Sequence, residues 1–155
     1  MANPLKELEL SVTGFQRITE LPIEATPAKV WAALIQTDGW FGFTPDRATW
    51  PKSKLNLTAG GQWISHNNDG AQMYLATVTY FEPGKLLRLA GPMGLSHLPV
   101  INVFIFELQP KNDGKTTLLR LGQRVFGFLD ADVQTRMAGG WKQLLENLKA
   151  ASEKH

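Results

Sequence analysis

The first clear alternation along the chain runs from Phe15 to Ala25, where Phe15, Thr19, Leu21 and Ile23 take turns with Gln16, Glu20 and Glu24. A two-residue period of this kind marks a strand with one buried face. Ile18 interrupts the alternation, and Arg17 falls on its apolar side. Leu8 to Val12 alternates as well and is a candidate extension of the same strand. Thr26-Pro27 then supplies a helix start, with Thr as N-cap and Pro at the first helical position, where its missing N–H costs nothing. The helix expected over Pro27 to Gln36 gathers Val30, Trp31, Leu34 and Ile35 on one face before Thr37-Asp38-Gly39 ends it. Trp40-Phe41-Gly42-Phe43 is either a short second helical turn or an aromatic loop, serving as a lid or as a plug for the core.

Five further strands are expected at hairpin spacing, over Gln62–Asn67, Gln72–Glu82, Lys85–Gly91, Ile101–Gln109 and Thr116–Phe126. Asn67-Asn68-Asp69-Gly70, Glu82-Pro83-Gly84 and Lys111-Asn112-Asp113-Gly114 carry turn chemistry between them, which predicts an antiparallel meander. Arg47 to Leu57, interrupted by Pro51, has room for one more short strand before Gly60-Gly61. The period then changes. Val133, Met137, Trp141, Leu144, Leu145 and Leu148 recur at intervals of three and four, predicting a long helix from about Asp132 to Ala151 with its polar residues turned away. Gly139-Gly140 sits inside that helix at a cost of roughly 1 kcal/mol each relative to Ala, so a kink or a close approach of the helix backbone is expected there.

Together these elements predict one α+β domain over residues 1–155, a curved antiparallel sheet of about six to seven strands wrapped around a long C-terminal helix, with two short helices after the first strand. Composition agrees with a single core. The chain has 155 residues, 43% of them hydrophobic and 19% charged, which is ordinary for a globular domain. Sixteen basic residues against fourteen acidic leave a charge of +2, and the basic residues are scattered singly apart from Lys52 and Lys54, so no nucleic-acid footprint is expected. There is no cysteine for a disulfide, a thiolate metal site or a thiol nucleophile. Without an apolar run near the ~18 residues of a membrane span, and with no leader pattern in its opening residues, the chain is expected to be cytoplasmic.

The residues also resemble a known family. Ile23-Glu24-Ala25-Thr26-Pro27-Ala28-Lys29-Val30-Trp31-Ala32-Ala33-Leu34, Gly60-Gly61, Phe81-Glu82-Pro83-Gly84-Lys85-Leu86-Leu87, Thr117-x-Leu119-x-Leu121, and Gly140-Trp141 with Leu144, Leu145 and Leu148 are similar, in order, to the START-like (SRPBCC) superfamily. Within it they resemble the branch named after the activator of heat-shock-protein ATPase. The resemblance implies the helix-grip fold, with a cavity between the sheet and the long helix. Members of the superfamily include lipid and sterol carriers, hormone-binding plant proteins, polyketide cyclases and co-chaperones, so the fold alone does not select an activity.

Strand alternation, taken with that family pattern, selects Trp63, Tyr74, Asn102, Phe104, Phe106, Gln123, Met137 and Trp141 as cavity-facing, an apolar set with a few neutral hydrogen-bonding groups. Core packing is the other use open to the same side chains. Glu107, Arg120 and Arg124 are expected to point outward. Arg17, on the apolar face of the first strand, is open to two roles: anchoring a ligand's carboxylate or phosphate, or snorkelling at the strand end. The three histidines, His66, His97 and His155, have no metal-ligand spacing, and neither a nucleophile-elbow nor a phosphate-loop motif occurs, so no metal, cofactor or catalytic residue is expected. The resulting expectation is a monomeric or homodimeric binding protein or carrier for an apolar or aromatic small molecule. Two alternatives stay open, a polyketide cyclase or dehydratase-like enzyme using His66, Arg17 or Tyr74, and a protein-interaction module such as a chaperone ATPase regulator.

Overall fold

The computed structural model describes residues 12–41 and 52–154. Strand β1 (Val12–Ile23) leads into helix α1 (Pro27–Ile35) and a 3-10 turn (Thr37–Gly39). The strands β2 (Lys52–Leu55), β3 (Gln62–His66), β4 (Gln72–Glu82), β5 (Leu86–Ala90), β6 (Val100–Lys111) and β7 (Thr116–Phe128) follow, and α2 (Ala131–Glu153) ends the fold. All seven strands form one antiparallel sheet in the order β1-β7-β6-β5-β4-β3-β2, so β7 closes the meander by pairing with the first strand. This is the expected helix-grip arrangement. β2 falls within the stretch Arg47 to Leu57 expected to hold a short strand before Gly60-Gly61; residues 47–51 of that stretch, the possible extension over residues 8–11, and Gly42-Phe43 lie outside the described residues.

Local chemistry explains the helix starts. Thr26 is extended and its Oγ1 accepts from the Lys29 N–H at 3.3 Å, with Pro27 in the first turn. Asp130 caps α2 in the same way, its Oδ1 accepting from Val133 N–H at 2.8 Å. Of the stretch expected to form a second helical turn or an aromatic loop, Trp40 and Phe41 follow the 3-10 turn and are buried, so these two rings plug the core.

Register decides which side chains face α2. Across β1, β7 and β6 one row reads Thr19, Leu121, Phe106; the next reads Arg17, Gln123, Phe104; the next reads Phe15, Val125, Asn102. The helix lies over these rows, its Trp141 ring 5.1 Å from Phe104 and 6.1 Å from Phe106 between centroids. Asn102, Phe104, Phe106 and Leu108 share this face as expected, while Glu107, Arg120 and Arg124 point outward, Arg120 pairing with Glu20 at 3.0 Å.

Tyr74 departs from the expected pattern. Trp63 pairs with Ala76 but Ile64 pairs with Tyr74, leaving Leu75 as an extra residue in a β-bulge. Counting back by twos from the buried Val78 and Ala76 puts Tyr74 inside, but the bulge inverts the phase and puts Met73 inside instead. Tyr74 is therefore exposed on the outer face, its hydroxyl against Thr77 Oγ1. Gly91 serves the same bulge, since a Cβ there would come within 2.5 Å of Ala76 Cα and Leu75 O.

The glycine pair in α2 also departs from expectation. The helix runs through Gly139 and Gly140 without interruption, Gly139 is exposed, and a Cβ on Gly139 would meet nothing within 4 Å. No close backbone approach accounts for Gly139.

Candidate functional site

Two polar populations lie on the helix-facing side of the sheet, and their hydrogen bonding separates them. Toward β2 and β3 every buried polar side chain has a partner among the described residues. Trp63 Nε1 donates to Ser53 Oγ at 2.6 Å, Ser53 Oγ donates to Thr37 Oγ1 at 3.0 Å, and Trp40 Nε1 donates to Leu34 O at 3.1 Å. Ser65 Oγ reaches Lys52 O at 3.1 Å. Near the end of β7, Thr117 Oγ1 donates to Ala25 O at 2.8 Å. The rings between them pack edge to face, Phe41 against Trp63 at 4.5 Å and Trp40 against Phe41 at 5.8 Å.

Six to eight residues further along β7 the bonding fails. Gln123 is 1% exposed, yet neither Oε1 nor Nε2 has a partner. Arg17, directly opposite on β1, has an equally buried and unpartnered Nη1, and Asn102 one row away has an unpartnered Oδ1 while its Nδ2 donates to Pro92 O at 3.3 Å. Leaving such groups dry and unpaired costs about 1–3 kcal/mol each, so they mark a place where something is missing. A cavity of about 320 Å³, partly open to solvent, lies there. Arg17, Thr19, Leu21 and Gln123 form its sheet wall, and Ala138, Trp141 and Leu145 form its helix wall. Glu20, Lys142 and Glu146 complete the lining. A second notch of about 150 Å³ on the outer face of the sheet, over Gly122, is lined by Ile18, Ile105 and charged side chains; its buried polar atom, Arg120 Nε, differs from those of the cavity in standing 3.0 Å from Glu20 Oε2.

The expected site residues divide accordingly. Gln123 and Trp141 line the cavity. Met137 packs beside it on the small cluster of Val125, Leu129 and Val133, next to Phe15, and Asn102 lies one row from Gln123. Trp63, Phe104 and Phe106 are fully buried in the main core, and only Phe104 and Phe106 reach Trp141. Tyr74 is outside. His66 pairs with Lys52 and Gln72 on the outer face of β3, and His97 is exposed between β5 and β6. Thr19 and Leu21 were legible as inward positions of β1 but were not joined to the site. Leu145 is legible as part of the apolar stripe of α2, but Ala138 and Lys142 carry no such signal, because their position depends on how α2 lies across β1 and β7.

A sheet gripping a long helix over a partly open cavity defines a START-like domain of the SRPBCC superfamily. Residues 24–153 match the family described as Activator of Hsp90 ATPase homolog 1-like protein, and the chain belongs to that family. No curated protein matches it in sequence. Among solved structures it is similar to a protein of Mesorhizobium loti with 23% identity, a TM-score of 0.62, and coverage of 88% of this chain and 96% of that one. An uncharacterized protein of Rhizobium leguminosarum gives 15% identity, a TM-score of 0.74, and coverage of 96% and 100%. A Staphylococcus aureus protein of unknown function gives 12% identity, a TM-score of 0.67, and coverage of 92% and 95%. At these identities the likeness speaks for the fold. No helix among the described residues is long and apolar enough to cross a membrane.

Proposed function

We propose that this protein binds a small apolar or aromatic molecule in the cavity between β1, β7 and α2. The observation that carries the reading is Gln123, a buried side-chain amide without a single hydrogen bond at the wall of a cavity whose apolar lining is Leu21, Ala138, Trp141 and Leu145. A volume of about 320 Å³ is at the small end of ligand sites, which run from ~300 to 1,000 Å³ and combine apolar walls with a few oriented polar groups. In this reading Trp141 offers the ligand a ring face and Gln123 orients it. Phe104 and Phe106 hold Trp141 in place, and Asn102 and Met137 close the end of the site.

The enzyme alternative loses two of its three proton carriers, since His66 and Tyr74 lie on the outer face of the sheet. Native mass spectrometry of the purified protein, followed by thermal-shift screening against aromatic acids, fatty acids, sterols and polyketides, tests the binding reading. An added mass or a rise in Tm that is lost in Trp141→Ala is the expected result. No added mass and no shift with any member of the screen would remove it.

A further inference from the structure

The polar end of the cavity is built for an anion. Arg17 reaches it from an inward position of β1, and its Nη1 is buried without an acceptor. Its guanidinium carbon stands 5.2 Å from the centroid of the Phe15 ring, a contact that stabilises the cation but supplies no oxygen to its N–H groups. Neither carboxylate in the lining neutralises it. Glu20 belongs to the outer face, where it pairs with Arg120 at 3.0 Å, and Glu146 on α2 forms no ion pair with Arg17. Lys142, also in the lining, adds positive charge. Gln123 stands directly across from Arg17, with an unused amide N–H pair beside the unused guanidinium N–H.

A guanidinium cannot shed its charge near neutral pH, so it remains a cation that lacks an oxygen partner. The partner that satisfies it with least rearrangement is planar and bears two oxygens, because an Arg fork meets a carboxylate through parallel N–H···O bonds. Leu21, Ala138, Trp141 and Leu145 offer apolar surface for the rest of the molecule, with Lys142 and Glu146 of opposite charge beside them.

We infer that the ligand is an amphipathic monocarboxylic acid, its carboxylate held by Arg17 and Gln123 and its apolar body lying along Trp141 and Leu145. This rests on the binding reading above and narrows it to one class of molecule. It also assigns Arg17 as the residue that determines specificity, and it accounts for an otherwise costly atom: the buried, unpartnered Nη1 gains an acceptor when the acid binds.

Calorimetric titration with matched probes tests the inference. The probes are 2-naphthoate against 2-naphthamide, and decanoate against 1-decanol and decyl phosphate, each with the wild-type protein, Arg17→Gln, Gln123→Leu and the outer-face control Arg124→Gln. The expected result is that at least one acid binds the wild type at least tenfold tighter than its neutral analogue. That preference should vanish in Arg17→Gln, weaken in Gln123→Leu and persist in Arg124→Gln. Arg17→Gln should also melt no lower than the wild type when both are empty, which separates lost recognition from lost folding. If the amide or alcohol binds as tightly as its acid, or if the acid preference survives Arg17→Gln, the carboxylate assignment is overturned while the cavity remains a binding site. Tighter binding of decyl phosphate than of decanoate overturns it in favour of a phosphate head. If no probe of either kind binds, the binding reading fails and this inference fails with it.

Discussion

The two ends of the helix-facing surface use the same materials to opposite effect. Around Trp40, Phe41, Trp63 and Phe106 the interior is filled by interlocking rings, and each buried hydroxyl or indole N–H is hydrogen-bonded to a neighbour. Around Gln123 and Asn102 the sheet is as well paired and the residues are as deep, but there, and at Nη1 of the half-buried Arg17 beside them, buried polar atoms go unmet next to a cavity of about 320 Å³. β7 runs through both regions, with Thr117 satisfied at one end and Gln123 unsatisfied six residues on, on the same face of the strand. Buried polar groups with partners cost the fold little, whereas those without partners cost it stability that folding does not recover. The contrast separates two uses of one surface: the filled end holds the fold together, and the unfilled end is where the proposed ligand would sit.

The largest effect that would sharpen this contrast comes from the filled end. Phe106→Ala removes a fully buried ring that touches both Trp40 and Trp141. It should cost about 3–5 kcal/mol by urea denaturation, and a cost below about 1 kcal/mol would mean that this end is not closely packed. On β7 the paired test concerns sign. Thr117→Val leaves Ala25 O without its 2.8 Å donor and should destabilise by about 1–2 kcal/mol. Gln123→Leu replaces two unsatisfied atoms with an apolar group of similar size and should stabilise the empty protein by about 1 kcal/mol. Equal losses from both substitutions would erase the distinction between the two ends.

A smaller gain is expected on the helix above the cavity. Gly139→Ala, at an exposed position where the added methyl meets nothing within 4 Å, should raise stability by roughly 0.5–1 kcal/mol through helix propensity. A fall in Tm would show that the turn of α2 over the cavity needs the glycine. The smallest effect is a pH dependence confined to the filled end. Glu153 Oε2 accepts from Lys149 Nζ at 2.5 Å and from Glu24 N–H at 2.7 Å, and these two bonds hold its carboxyl below the ordinary glutamate range. A depressed carboxyl contributes stability that is complete above the unfolded value of about 4.3 and is lost as the pH falls through the lower folded value. Glu153→Gln should therefore flatten the melting profile below about pH 4.3, and because the side chain is partly exposed the change should be slight. An unchanged profile would show that the tie between α2 and the end of β1 contributes nothing.

Period and turn chemistry carried most of the fold. The two-residue alternation of β6 and β7 placed Asn102, Phe104, Phe106, Leu121 and Gln123 on the helix-facing side, and the three-and-four spacing placed Trp141 and Leu148 on the buried face of α2. These features are local, because a side chain's direction within a regular element depends only on its own backbone. The candidate site was less legible. Trp63 and Phe106 looked like cavity residues in sequence for the same reason that they look like core residues, since an aromatic ring serves either use. Only the plug of Trp40 and Phe41 assigns them to the core.

By itself, then, the sequence determined an α+β fold, most of its strand faces, the helix that starts at Thr26-Pro27, the long C-terminal helix and the inward position of Arg17, because each follows from spacing and from chemistry within a few residues. Tertiary structure alone decided three things. The bulge at Leu75 turned Tyr74 outward by inserting one residue into a two-residue period. The pairing of β1 with β7, two strands about a hundred residues apart in sequence, set Arg17 opposite Gln123. The path of α2 over those strands left them a cavity and no partner. Hydrogen-bond satisfaction is a property of atoms brought together from distant parts of the chain, and no local pattern records it.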